Sequence, residues 1–303
     1  MKVVITGATG FIGSALCEDL CRDYEIIALS RDVRRAASKI GDCAKILEWD
    51  GRTTGTWVGQ ADGAFAIINL AGESLAHGRW TQSKKAGILH SRLDSTRAII
   101  AAIKQVDKKP KTVIQASAIG YYGSRGAEEL NETSSQGKGF LADVCQKVEL
   151  CTEPIDELGV RRVIIRTGVV LGKEDGALPQ IAKPFKYFVG GHPGSGKQWF
   201  SWISLEDEVA AIRFLMKNQE PKGVFNLTSP EPVTMKDFCR KLGKALKRPS
   251  WTYVPKFVLR MAFGEMADEM LLASQKVLPK KLLDAGFQFK YPQASNALKA
   301  ILG

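Results

Sequence analysis

Val3-Val4-Ile5-Thr6-Gly7-Ala8-Thr9-Gly10-Phe11-Ile12-Gly13 is the stretch on which the fold turns. Its β-branched run reads as a strand, and the apolar positions Ile12, Leu16 and Leu20 that follow have helical spacing. Three glycines lie between them with separate duties. Gly7 permits a tight turn, Gly10 lets backbone come close to a diphosphate, and Gly13 lets the helix pack on the strand. The amides at the turn and helix start, those of Thr9, Phe11 and Ile12 among them, then meet the anion with the positive end of the helix dipole. A glycine triplet alone is a weak sign, but strand, glycine turn and helix in that order predict a dinucleotide site. The plain alternative is a glycine-rich turn in an ordinary α/β protein.

Working outward, strand-like runs recur at Ile26–Leu29, Ile46–Trp49, Phe65–Leu70, Thr112–Ala116, Val163–Arg166 and Gly223–Leu227. Most are continuous rather than alternating, as expected of strands buried on both faces. Helical stretches, including Gln82–Val106 and Lys138–Leu158, separate them. The fold class is therefore α/β: a doubly wound parallel sheet of Rossmann type, with a smaller helix-rich C-terminal lobe. We expect the cofactor domain over residues 1–228, with an insertion over 173–200 facing the substrate crevice. The small lobe, 229–303, is punctuated by Pro249, Pro255, Pro279 and Pro292.

The 303 residues are 45% hydrophobic and 25% charged, which suits a globular protein with a sizeable core. No apolar run is long enough to span a bilayer and no signal peptide is read, so no membrane partner is expected. Cysteines 17, 21, 43, 145, 151 and 239 match neither a disulfide framework nor a paired metal motif, and a cytoplasmic, reducing location follows. The net charge of +11 is spread along the chain without a basic block. It fits anionic small ligands, and no nucleic-acid partner is expected. Histidines 77, 90 and 192 lack ligand spacing, so no metal is predicted. Gly191–Lys197 has the spacing of a triphosphate-binding loop, but Gln198 stands where a magnesium-binding hydroxyl is needed. That loop is expected to hang mobile over the crevice.

The second strand distinguishes the two nicotinamide cofactors. An NAD site wants a carboxylate at its end for the ribose hydroxyls. Here the strand ends Ser30-Arg31, with Arg34 and Arg35 beyond, and a guanidinium fork suits a 2′-phosphate. NADP is predicted over NAD, although Asp32 restores an acid if the register slips by one. Asp50, after the third strand, is placed to meet the adenine edge.

Several motifs then carry a resemblance. They include Thr6–Gly13, Asn69-Leu70-Ala71-Gly72, Arg79-Trp80, Ser91-Arg92, Ser117-Ala118-Ile119-Gly120-Tyr121-Tyr122-Gly123 and Arg166–Gly172. Gly196–Ile203, Gly264-Glu265, Pro279–Leu282 and Gly286–Phe289 belong with them. Over essentially its whole length the chain resembles the extended short-chain dehydrogenase/reductases, and within them the atypical epimerase-family oxidoreductases with a small C-terminal domain. The resemblance implies NADP on a Rossmann domain and names no substrate. It places the nicotinamide ribose near Leu70, Ala71 and Gly72, with Arg92 as a further cofactor or substrate contact.

The superfamily's machinery is a Ser, a Tyr, and a Lys four positions after that Tyr. Ser117 is well placed at its strand end. With Glu149 marking the register of the next helix, Leu141 stands at the Tyr position and Cys145 at the Lys position. Tyr121 and Tyr122, close to Ser117, are the replacement proton donors expected, with Arg92 or Lys84 as activating cation. The leading expectation is an NADP(H)-dependent oxidoreductase or epimerase acting on a small carbonyl or alcohol substrate. A non-catalytic NADP-binding sensor or scaffold and a sugar-nucleotide epimerase are the alternatives. A homodimer is compatible with the sequence but nothing in it demands one.

Overall fold

The computed structural model describes residues 1–76 and 78–303. Seven strands form its central sheet: β1 (Lys2–Thr6), β2 (Glu25–Ser30), β3 (Lys45–Glu48), β4 (Ala66–Asn69), β5 (Thr112–Ala118), β6 (Arg161–Thr167) and β7 (Gly223–Leu227). Their spatial order is β7-β6-β5-β4-β1-β2-β3, and every pairing is parallel. The order reverses between β1 and β4, the switch point beyond which doubly wound sheets hold their ligands.

Why the strands read as unbroken apolar runs is plain from their two faces. Val3 and Ile5 join one core with helices α1 (Phe11–Leu20), α2 (Val33–Ile40) and α6 (Leu205–Lys217). Val4 joins a second core with α3 (Gln82–Gln105) on the other face. Helix α4 (Phe140–Cys151) packs outside α3 through Ile88, Leu93, Val144 and Val148. The stretch read as one helix over 138–158 is broken: α4 stops at Cys151, and a short turn begins at Pro154, whose ring cannot continue a helix.

A third apolar cluster gathers α5 (Ala177–Lys186), α7 (Met235–Leu246) and α9 (Ala294–Leu302) around Phe185, Phe238, Leu242 and Leu298. Thr234 caps α7, its hydroxyl accepting from the Asp237 amide. The insertion over 173–200 thus lays the apolar face of α5 on the C-terminal lobe. Gly191–Pro193, expected as a mobile loop, is instead a short strand paired in parallel with Thr252–Val254. Helix α8 (Lys256–Phe263) follows that pair. No described helix is long and apolar enough to cross a membrane.

Candidate active site

The glycine turn is built as its sequence requires. Gly7 has φ +66°, and a Cβ there would lie 2.6 Å from the Leu70 carbonyl oxygen. A Cβ on Gly13 would lie 2.2 Å from the Gly7 carbonyl oxygen, so only hydrogen fits where α1 crosses β1. Gly10 is the N-cap of α1, no side chain caps that end, and no acid stands in its first turn. The cradle therefore fits a dinucleotide: bare backbone at the turn, with helix-start amides at Phe11, Ile12 and Gly13 aimed at an anion. Thr9 is half-buried beside it. The ring of Phe11 lies against Gly172 and Gly176, so this residue offers its amide to the cradle and its side chain to packing.

At the end of β2, Ser30 exchanges hydrogen bonds with Asp32, its hydroxyl donating to the Asp32 carbonyl and accepting from the Asp32 amide. Asp32 itself caps α2, its carboxylate accepting from the Arg35 amide at 2.9 Å. Its carboxylate is thereby engaged in a local cap. Arg31, Arg34 and Arg35 are exposed and make no ion pair among the described residues. Asp50 folds back on its own turn, accepting from the Arg52 and Thr53 amides and the Thr53 hydroxyl. Those bonds, that from Thr53 foremost, hold its pKa below the ordinary value.

Beyond the ends of β4, β5 and β6 lies a cavity of about 330 Å³. Leu70, Ala71, Gly72 and Arg92 form one wall, and Ser117–Gly120 with Thr167–Val169 form another. Leu141, Val144, Cys145 and Val148 of α4 line a third side, and Glu269, Met270 and Gln275 come from the C-terminal lobe. Residues 173–200 supply none of this lining. Arg92 donates to the Glu73 and Ile88 carbonyls at 3.1 and 2.9 Å and lies flat against Gly72. Burial lowers its pKa.

Ser117 reaches the cavity as its strand-end position predicts. Its hydroxyl donates to Glu149 Oε1 at 2.7 Å. Glu149 is gripped by Arg166 through Nε at 2.9 Å and Nη2 at 2.7 Å, with the two side chains only 10% and 4% exposed. Burial works against the Arg166 charge, but the Glu149 carboxylate more than offsets it and the pKa is raised. On the neighbouring strand Thr167 makes a parallel arrangement, its hydroxyl donating to the buried Glu208 at 2.8 Å.

The two tyrosines do not arrive where the sequence reading puts them. Tyr122 is fully buried and outside the cavity; its hydroxyl donates to Asn226 Oδ1 at 2.7 Å and accepts from Arg166 at 2.9 Å. Burial pushes its pKa up to about 12. The ring of Tyr121 is stacked by the Arg166 guanidinium, 3.4 Å from its centroid, and it too is absent from the cavity lining. Both rings serve to bracket a buried cation. Lys84 is held by Glu73 at 2.6 Å, and Arg79 reaches across to the Met261 and Ala262 carbonyls.

Leu141 and Cys145 do line the cavity in the register expected of the missing Tyr and Lys. Burial pushes the Cys145 thiol up, which keeps it protonated and weakly nucleophilic. Glu269 was invisible in sequence. It crosses from the lobe to the start of α4 and accepts from the Phe140 and Leu141 amides, both at 3.1 Å. Histidine 77 lies outside the described residues, and among the rest no group of His, Cys, Asp and Glu forms a metal cage.

Comparison with known proteins matches residues 3–228 to the NAD dependent epimerase/dehydratase family and residues 254–301 to a domain of unknown function, DUF1731. The chain belongs to that epimerase family. It is 38% identical over 307 aligned residues to the chloroplastic "Epimerase family protein SDR39U1 homolog" of Arabidopsis thaliana, covering all of this chain and 87% of that one. The crystal structure of human epimerase family protein SDR39U1 with NADPH is 31% identical with a TM-score of 0.89, covering 100% of this chain and 99% of that one. The Thermus thermophilus UDP-glucose 4-epimerase complex with NAD is 17% identical with a TM-score of 0.81, covering 100% and 98%, and speaks to the fold alone.

Proposed function

We propose that this family member is an NADP(H)-dependent oxidoreductase that interconverts a small alcohol and its carbonyl in the cavity above β5. The carrying observation is the Ser117 hydroxyl, whose hydrogen is committed to Glu149 while its lone pairs remain for a ligand in the cavity. The cofactor supplies hydride acceptance or donation when bound. Helix-start amides at Phe11–Gly13 hold its diphosphate, and Arg31 with Arg35 holds the 2′-phosphate. Ala71, Gly72 and Arg92 flank the nicotinamide ribose. Free arginines at the end of β2, the engaged Asp32 and the NADPH of the human relative all favour NADP over NAD.

Ser117 then accepts the hydrogen of a substrate hydroxyl. In the alcohol-to-carbonyl direction that proton passes to Ser117 Oγ as the serine proton passes to Glu149 Oε1. Arg166 stays charged and fixes the carboxylate. The reverse reaction returns the proton along the same two atoms. Neither tyrosine takes part, and this pair of steps does the work of the absent Tyr and Lys.

The test is Ser117→Ala, assayed for NADPH consumption over a panel of small aldehydes and ketones. Turnover should fall by about 10²–10⁴-fold, with NADPH binding by fluorescence unchanged. Full turnover in the variant would overturn the scheme. Wild-type protein that binds NADPH yet turns over nothing would favour the second reading, a sensor or scaffold, which rests on Leu141 and Cys145. A sugar-nucleotide epimerase has less support, since about 330 Å³ is at the low end for small-molecule pockets. The free thiols suit a reducing compartment, which we take to be the cytoplasm.

A further inference from the structure

Two segments without a single Asp or Glu, residues 177–197 and 247–264, meet on one side of the C-terminal lobe. Leu178, Ala182, Phe185 and Leu259 of these segments turn inward, but several large apolar side chains face outward. Trp251, immediately before the Thr252–Val254 strand, and Tyr253 within it are 72% and 64% exposed. Phe257 and Met261, one turn apart on α8, are 65% and 70% exposed. Phe188 joins them: its carbonyl accepts from the Trp251 indole at 3.0 Å, and its ring lies 4.4 Å under the Arg248 guanidinium. Single exposed apolar residues need no explanation, but a linked strip of this kind marks a surface that something covers.

The charges around the strip say what. Lys183, Lys186, Lys197, Lys247, Arg248 and Lys256 are exposed, and none has an ion-pair partner among the described residues. A second copy of this chain would bring an identical cationic rim against the first, on a protein already at +11. An apolar strip of Trp, Tyr, Phe and Met inside a rim of lysines complements a layer with buried hydrocarbon and anionic heads. We infer that this side of the C-terminal lobe docks on an anionic phospholipid surface. The aromatic side chains enter the head-group region, and the cations meet phosphates. The contact is peripheral, on the surface and not through it. It revises the expectation, drawn from the lack of a spanning segment, that no membrane is engaged.

The test is flotation of the full chain with vesicles of phosphatidylcholine alone, or of phosphatidylcholine carrying about one-third phosphatidylglycerol. The chain should float with the anionic vesicles, stay behind with the neutral ones, and be released by salt. Tryptophan emission should shift to the blue on binding, and the shift should shrink in Trp251→Ser. Lys256→Gln should weaken binding by about fivefold, and Trp251→Ser with Phe257→Ser should abolish it. NADPH binding in these variants should match wild type, showing that the chain is folded. Failure to float with anionic vesicles at low salt would overturn the inference, as would full binding by the double variant. A dimer that the double variant dissolves would assign the face to a second copy. Tighter retention by polyglutamate than by vesicles would assign it to an acidic protein. Either result would also overturn the lipid assignment.

Discussion

Replacing Glu149 with Leu removes the only carboxylate that, among the described residues, is paired with a guanidinium 4% exposed. Arg166 would keep one hydrogen bond, to the Tyr122 hydroxyl, and its stacking on Tyr121. Stripping one partner from a buried ion pair costs about 3–5 kcal/mol, because the other charge stays desolvated. That is a large part of the roughly 5–15 kcal/mol that holds a typical domain folded. The double change Glu149→Leu with Arg166→Met removes both charges, and such apolar replacements are often neutral. Tyr122 still donates to Asn226 in that variant, so its hydroxyl is not orphaned. The double variant should therefore lie within about 2 kcal/mol of wild type, well above the single one. Urea unfolding, followed by circular dichroism with the slope held common, measures both differences. A single variant within about 1 kcal/mol of wild type would show that the pair is not desolvated. With Arg166→Met alone measured beside them, a double variant as unstable as the two singles summed would show no coupling, and the argument would fail.

Arg31→Ala should weaken NADPH binding by about 10–150-fold, the worth of one charge-assisted contact of about 1.5–3 kcal/mol, and leave NADH binding alone. Fluorescence titration with both cofactors checks it, and equal losses would remove Arg31 from the 2′-phosphate site. Glu208 has its pKa raised from 4.5 to about 8 by burial. Between those values the folded chain holds a proton that the unfolded chain releases, so this carboxyl's contribution to stability is lost as pH climbs from about 5 to 8. Glu208→Gln should flatten that decline in urea midpoints measured at steps of pH. An unaltered slope would place the titration elsewhere.

The fold was legible because the inner strands, β1 and β4 above all, are buried on both faces, which leaves runs of Val and Ile that need no distant partner to be recognised. The glycine cradle was legible for a similar reason: turn, close approach and helix packing are all local demands. Ser117 followed from its place at a strand end, and the register of Leu141 and Cys145 from one helix. The role of Glu149 was not legible. It stands seventeen positions from Arg166 on another element, and its meaning arises only when α4 packs over the sheet. One signal was available: an arginine closing the apolar run Val163-Ile164-Ile165 needs a counter-charge somewhere. The same unasked question misplaced Tyr121 and Tyr122. Nearness to Ser117 in the chain suggested a proton donor, whereas the buried guanidinium claims both rings.

The carboxylate that Glu269 sends across to the first amides of α4 has a bearing on how this architecture can be divided. The helix that walls the cavity begins in one matched region, and its opening turn is completed by a side chain from the other. Cutting the gene between them would yield a nucleotide-holding half whose wall helix starts frayed. Exchanging tails among relatives would transplant a piece of the wall along with the tail. The boundary drawn by family descriptions runs through the cavity rather than around it.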